Sequence, residues 1–88
     1  MSREKIRKES LDTATQETIS MIHHRLIQKG DGTYSSIHEI LGIVAEEYDE
    51  LIDAVRKNNQ MECYKELKDI AVGCIIAMAC IQQQSLDW

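Results

Sequence analysis

The residues that most often interrupt helices are scarce in this sequence. Its 88 residues include no proline and only four glycines. Alanine, leucine, glutamate, lysine, glutamine and isoleucine are frequent instead, and most of these residues favour helix. No repeat, low-complexity segment or linker divides the chain. The composition therefore predicts an all-α fold in which residues 1–88 form a single helical domain.

Paired cysteines and long hydrophobic runs are also missing. Cys63, Cys74 and Cys80 form neither a CxxC pair nor a Cys/His cluster with zinc spacing, which indicates reduced thiols and a cytoplasmic setting. The longest apolar run, Ile70–Ile81, is well short of the about 20 residues needed to cross a bilayer. The charged N-terminus has no apolar segment typical of a signal peptide. We therefore expect a soluble protein without a membrane partner.

Positive charge is in the minority, since 10 lysines and arginines accompany 15 aspartates and glutamates and the formal net charge is −5. A chain of this charge is a poor ligand for a phosphate backbone, so nucleic acid is not an expected partner. A nucleotide complexed with a cation remains compatible, because a bound metal inverts the local field.

Apolar periodicity predicts three main helices. Residues 1–10 are charged and are expected to fray, and residues 82–88 form a polar tail to which we assign no role. Ser36–Glu39 has the sequence of a capping box, which starts the second helix at Ile37. A tight break at Asn58 and Asn59 makes the second and third helices an antiparallel hairpin. The helices are expected near Leu11–Lys29, Ile37–Lys57 and Gln60–Ile81, and the first ends at Gly30-Asp31-Gly32.

Acidic residues recur at helical spacing in the second and third helices. Glu46, Glu47 and Glu50 fall within an arc of about 100°, and Glu66 and Asp69 lie one turn apart. Because both segments pass into apolar stripes, the hairpin should turn these acids toward each other. Unpaired carboxylates at close quarters repel or take up protons, whereas a hard divalent cation such as Mg²⁺ removes the conflict. The alternative is a solvated charged face with helix-supporting pairs.

The third helix changes from amphipathic to apolar on nearly every side between Ile70 and Ile81. A helix of this kind must be covered all round, and three helices of one short chain cannot cover it. We therefore predict that a homo-oligomer, either a dimer or a tetramer, completes an antiparallel helical bundle.

The two acidic segments resemble the EExxE and ExxD signature of the MazG-like all-α NTP pyrophosphohydrolases, whose relatives include the dimeric dUTPases and dCTPases. The matching segments are Glu46–Glu50, with the sequence EEYDE, and Glu66–Asp69, with the sequence ELKD. The resemblance covers the second and third helices well and the first only by position and pattern. The chain also lacks a clear fourth helix after Ile81, which often helps to complete the bundle in larger members.

The resemblance implies Mg²⁺-dependent hydrolysis of a nucleoside triphosphate between the α and β phosphates, which yields the monophosphate and pyrophosphate, with Mn²⁺ as a substitute ion. It implies that Glu46 aids a second ion or orients water, and that Glu46 and Glu47 are catalytic. A metal ion polarises phosphate oxygens and a carboxylate positions the attacking water, so no nucleophilic side chain is required. The implied metal ligands are Glu47, Glu50, Glu66 and Asp69.

Three further residues are candidates for substrate binding. Lys68 can reach phosphates from its position beside the acids, although such a lysine usually forms a weak surface pair. His38 should lie near the mouth of the site, where a histidine is also an ordinary polar surface residue. Tyr34 is placed in a loop from which it can stack on a base.

Two other classes of protein stay open. The first is a non-catalytic helical oligomerisation or interaction module that keeps a structural or vestigial metal site. The second is a carboxylate-bridged di-iron bundle, which typically needs Glu-x-x-His pairs. None of the three histidines has a glutamate three residues before it, and the di-iron class is therefore disfavoured.

Overall fold

The computed structural model describes residues 3–30 and 32–87, so the predictions for Met1, Ser2, Asp31 and Trp88 lie outside it. The described chain forms α1 (Lys8–Gln28), α2 (Ile37–Arg56) and α3 (Gln60–Gln82). The all-α prediction is confirmed: the described ranges contain three helices and no strand, apart from one isolated bridge between Ser36 and Asp87. Helix α1 begins earlier than predicted, and residues 3–7 before it are exposed and not helical.

Local side-chain caps set the starts of α2 and α3. The Ser36 hydroxyl accepts the Glu39 N–H at 3.1 Å, and the Glu39 carboxylate reaches back to accept the Ser35 N–H at 3.1 Å. The Asn59 side chain caps α3 by accepting the Glu62 N–H at 3.1 Å. Each cap satisfies a backbone donor that the first turn of a helix leaves free. The predicted starts of α2 and α3 are therefore confirmed.

Helix α3 is the centre of the fold, because both α1 and α2 pack against it, whereas over residues 3–30 and 32–87 the backbones of α1 and α2 do not approach each other closely. The α2–α3 hairpin holds most of the core, whereas no residue of α1 is fully buried. This arrangement leaves a groove above α3 between α1 and α2. The buried core residues are Tyr34, Ile40, Val72, Ile76, Ala77 and Cys80, with Met21, Ile22 and Leu26 of α1 packed against them.

The tail after α3 returns to the beginning of α2. Leu86 packs against the core cluster, and the Asp87 N–H donates a hydrogen bond of 2.7 Å to the carbonyl of Ser35. The segment to which the sequence assigned no role therefore covers one end of the hairpin. Among the described residues, no helix combines the length and the hydrophobicity that a bilayer crossing requires.

Several large apolar side chains on one flank of the hairpin remain exposed. The apolar spacing of α2 predicts that Leu41, Tyr48 and Val55, which follow one another at intervals of seven residues, face the core. This prediction is wrong, because all three are exposed. Helix α3 exposes a similar set. We call the combined set the apolar surface, and its members are between 54% and 66% exposed: Leu41, Tyr48, Val55, Leu67, Met78 and Ile81.

Candidate metal centre

Three carboxylates meet where α2 packs against α3. One oxygen each of Glu47, Glu66 and Asp69 lies within 4.8 Å of the other two. Glu66 is only 5% exposed, and the Asp69 side chain is 12% exposed. The i, i+3 spacing on α3 stacks its two acids along the hairpin contact, and Glu47 faces them from the opposite helix. The structure thus brings together three of the four predicted metal ligands.

The other two predicted acids lie at the edge of this cluster. Glu50 is exposed, and its pKa is raised because its protonated form donates a hydrogen bond to Glu66 and because the Glu66 charge is close. Glu46 is also exposed and is not one of the three converging acids. Its charge adds to the raised pKa of Glu50. Glu50 therefore adjoins the cluster, whereas the catalytic role predicted for Glu46 stays a prediction.

Two oxygens of the cluster are buried without a hydrogen-bond donor. Across the part of the chain that the structure describes, Glu47 Oε2 and Glu66 Oε2 have no such partner when both acids are ionised. Burial of an unsatisfied carboxylate oxygen costs several kcal/mol, so native proteins rarely leave one without a donor or a metal. Carboxylate oxygens are the ligands that hard cations such as Mg²⁺ and Mn²⁺ prefer. The donor set therefore fits a divalent cation.

Electrostatic repulsion within the cluster appears in the titration of Glu47. Burial raises its pKa from 4.5 to about 7, with further contributions from the charges of Asp69 and Glu50 and from a hydrogen bond with Glu66. Without a cation, the cluster therefore retains a proton at pH values where an ordinary glutamate has lost it.

Ion-free protein is expected to lose thermal stability as the pH rises from about 5 to 8. Glu47 has a pKa of about 7 in the folded chain and 4.5 as its ordinary value, so in this window the folded state binds more protons than the unfolded state. Raising the pH removes the proton that stabilises the fold, and for a domain this small 1 kcal/mol corresponds to about 4–8 °C. Melting curves in EDTA at pH 5.5 and pH 8 measure the effect. Glu47→Gln should flatten the dependence, and an unchanged slope in that variant would contradict the assignment.

Two cations partly neutralise the cluster. Arg25 Nη2 of α1 lies 3.2 Å from Asp69 Oδ1, and Lys65 Nζ lies 3.1 Å from Asp69 Oδ2 and 3.4 Å from Glu66 Oε1. These contacts raise the pKa of Lys65 to about 12, chiefly through its hydrogen bond to Asp69. Arg25 was not among the residues predicted from the sequence. Its signal was a charged residue set between Ile22 and Leu26 in the apolar stripe of α1.

None of the three predicted substrate residues joins the cluster. Lys68 turns toward α1, with its Nζ 3.7 Å from Glu17 Oε1, so Lys65 rather than Lys68 contacts the acids. His38 is exposed in the first turn of α2. Tyr34 is only 7% exposed, and its hydroxyl lies 3.9 Å from where a Cβ on Gly73 would be, so it is a core residue and not the open loop residue expected. Their contacts with substrate stay predictions.

Comparison of the chain with protein-family models, with curated proteins and with solved structures finds no match. Fold alone does not specify function, and an all-α hairpin supports many activities. The residues of the acidic cluster are therefore the basis on which a function can be assigned.

Proposed function

We propose that this protein is a Mg²⁺-dependent nucleoside triphosphate pyrophosphohydrolase of the MazG-like type, which cleaves its substrate between the α and β phosphates. The observation that carries the proposal is the pair of buried oxygens, Glu47 Oε2 and Glu66 Oε2, that have no hydrogen-bond partner within the described chain. They belong to the carboxylates that converge with Asp69, and these acids occupy matching positions in the EExxE and ExxD segments.

In this proposal Glu47, Glu66 and Asp69 hold the ion, and Glu50 completes the ligand set from the solvent side. When bound, the ion polarises phosphate oxygens and neutralises charge that develops on them. Both orphaned oxygens gain a partner, so the acids no longer need to retain a proton. Burial and the neighbouring acids, which together raise the pKa of Glu47, would thereby be offset by the same ion that the reaction requires.

The exposed carboxylate of Glu46 is the group that we propose to position and deprotonate the attacking water. It lies on α2 beside Glu47 and one turn before Glu50, at the solvent edge of the cluster. As general base, Glu46 accepts a proton while the water oxygen forms a bond to phosphorus. The bond between that phosphorus and the α–β bridging oxygen breaks, and the products are a nucleoside monophosphate and pyrophosphate. A second ion near Glu46 would assist the same step.

We further propose that the protein is a homo-oligomer, with a dimer as the basic unit, formed through the apolar surface. In an α-helix, two side chains that are two residues apart point in directions about 200° apart. This applies to Tyr48 and Glu50 on α2 and to Leu67 and Asp69 on α3. Glu50 and Asp69 both face the cluster. Tyr48 and Leu67 therefore face the other flank of the hairpin, and the exposed side chains of α2 and α3 form one continuous surface.

A second copy is the occupant that fits this surface best. Apolar residues at intervals of seven form the seam by which helices pair with helices of the same pattern, and a two-fold axis would place the two hairpins face to face. Six large side chains that are more than half exposed amount to an area comparable to the about 800 Å² per partner of a standard interface.

Cys63, Cys74 and Cys80 form no disulfide in the described chain, which supports a reducing, cytoplasmic location as part of the same proposal.

With Mg²⁺ present, the protein is expected to release pyrophosphate and the monophosphate in equal amounts from at least one member of a panel of common and damaged dNTPs. Mg²⁺ should also raise the melting temperature, because it binds only the folded arrangement of acids. Chromatography of the products distinguishes this reaction from release of a single phosphate. EDTA provides the control. Mg²⁺ binding without turnover of any nucleotide would instead support the non-catalytic module with a structural metal site.

A further inference from the structure

The two oxygens of Asp69 each contact a different cation. Arg25 Nη2 lies 3.2 Å from Oδ1, and Lys65 Nζ lies 3.1 Å from Oδ2 and 3.4 Å from Glu66 Oε1. Two buried oxygens of the cluster lack such a contact, because Glu47 Oε2 and Glu66 Oε2 have no hydrogen-bond donor among the described residues. Arg25 and Lys65 therefore pair with Asp69 and with Oε1 of Glu66, and neither reaches the two buried oxygens.

A divalent ion among these acids would compete directly with both side-chain cations. The ion needs oxygens of Asp69 and Glu66, and three of those atoms, both oxygens of Asp69 and Oε1 of Glu66, are the present partners of Arg25 and Lys65. Like charges a few ångströms apart repel strongly where water is partly excluded. The Arg25 side chain is only 20% exposed, so it cannot turn into bulk water without leaving its contact with α3. The competition therefore releases the guanidinium of Arg25 and the ammonium of Lys65 from the acids, and both groups stay close to the ion.

A polyphosphate chain that binds the ion would bring negative oxygens to that same edge. The planar guanidinium of Arg25 can donate two parallel hydrogen bonds to a phosphate, and the Lys65 ammonium can act as a point charge. We propose that Arg25 and Lys65 are exchangeable counter-ions, which pair with Asp69 and Glu66 in the ion-free chain and transfer to the phosphates of the substrate when the ion binds. This inference rests on the proposed function and assigns phosphate binding to two residues outside the acidic motif.

Helix α1 can tolerate this exchange because it has a separate polar attachment to α3. Glu17 accepts a hydrogen bond of 2.8 Å from the Tyr64 hydroxyl and lies 3.7 Å from Lys68 Nζ, more than two turns before Arg25. Loss of the Arg25 contact therefore leaves α1 held near its middle. This makes Arg25 variants suitable for a binding test.

The test compares Arg25→Gln and Lys65→Gln with the wild type, using two probes measured by titration calorimetry. The first probe is Mg²⁺ alone, and the second is a non-hydrolysable α,β-methylene dNTP in saturating Mg²⁺. Arg25→Gln should bind Mg²⁺ alone at least as tightly as the wild type, because no guanidinium must be displaced. It should bind the analogue about tenfold more weakly or worse, since it lacks a hydrogen bond between charged groups. Lys65→Gln should change both affinities in the same directions, by smaller factors because its side chain is 59% exposed.

Two additional variants make the result specific. Arg56→Gln removes an exposed arginine at the end of α2 and should change neither affinity. Arg25→Lys keeps the charge and should recover part of the affinity for the analogue. Weaker binding of Mg²⁺ alone by Arg25→Gln, or unchanged binding of the analogue by both glutamine variants, would overturn the exchange while leaving the metal site intact. A wild type that binds neither probe would overturn the proposed function, and the exchange with it.

Discussion

Glu66→Gln is expected to abolish pyrophosphate release and, at the same time, to stabilise the ion-free protein. Glu66 is 5% exposed and lies within reach of both Glu47 and Asp69, so its charge repels theirs when no ion is present. Glutamine has nearly the same shape but no charge, and its amide can donate to a neighbouring carboxylate. We expect the melting temperature in EDTA to rise by several degrees, since about 1 kcal/mol corresponds to about 4–8 °C in a domain of this size.

The loss of activity follows from the role of the ion. A bound metal contributes several kcal/mol of transition-state stabilisation, and each 1.36 kcal/mol corresponds to a factor of ten, so we expect turnover to fall by about 10³. Pyrophosphate release and melting curves with and without Mg²⁺ measure both effects. Asp49→Asn removes an acid from the exposed side of α2 and should change neither quantity. A Glu66→Gln variant that keeps wild-type activity, or that melts lower in EDTA, would disprove the proposed site.

A charge at the centre of the apolar surface is expected to convert the proposed oligomer to single chains. Tyr48→Glu places a carboxylate on the α2 seam between Leu41 and Val55. A two-fold interface would bury that charge twice without a partner, at a cost of several kcal/mol for each copy. Because Tyr48 is already 58% exposed within one chain, the substitution should leave the fold of the monomer largely intact.

Light scattering coupled to size exclusion, at micromolar concentration, measures the change in mass. Gln16→Glu adds the same charge to an exposed position of α1 and should leave the mass unchanged. Circular dichroism confirms that both variants remain helical. Dimerisation through the apolar surface would be refuted if the wild type had the mass of one chain, or if Tyr48→Glu retained the mass of the oligomer.

The positions of the helices could be predicted because the interactions that set them act over a few residues. Ser36 and Glu39 form a cap within one turn, and the break at Asn58 and Asn59 ends α2 and starts α3. The same local geometry explains why Glu66 and Asp69 could be expected on one face of α3. Periodicity predicts which residues share a face of a helix.

Other features depend on how the helices are rotated and on what lies across from them. Periodicity predicted several inward-facing acids, but packing of α2 on α3 turned Glu47 inward and left Glu46 and Glu50 exposed. Periodicity also could not predict that Lys65 contacts the acids whereas Lys68 contacts Glu17. The reason is that a long, flexible side chain can bend toward a charged partner away from the direction of its Cα–Cβ bond. Loop residues follow no period, so the burial of Tyr34 was not visible.

The sequence by itself determined three helices, their caps and the acids available for a site. Only the tertiary structure decided that Glu47 meets Glu66 and Asp69 with two oxygens left without donors, and that Arg25 closes the cluster from α1. The physical reason is the range of the forces involved. Hydrogen bonds within a helix connect residues three or four apart, whereas the contact between Arg25 and Asp69 joins residues 44 apart and exists only once α1 has packed on α3.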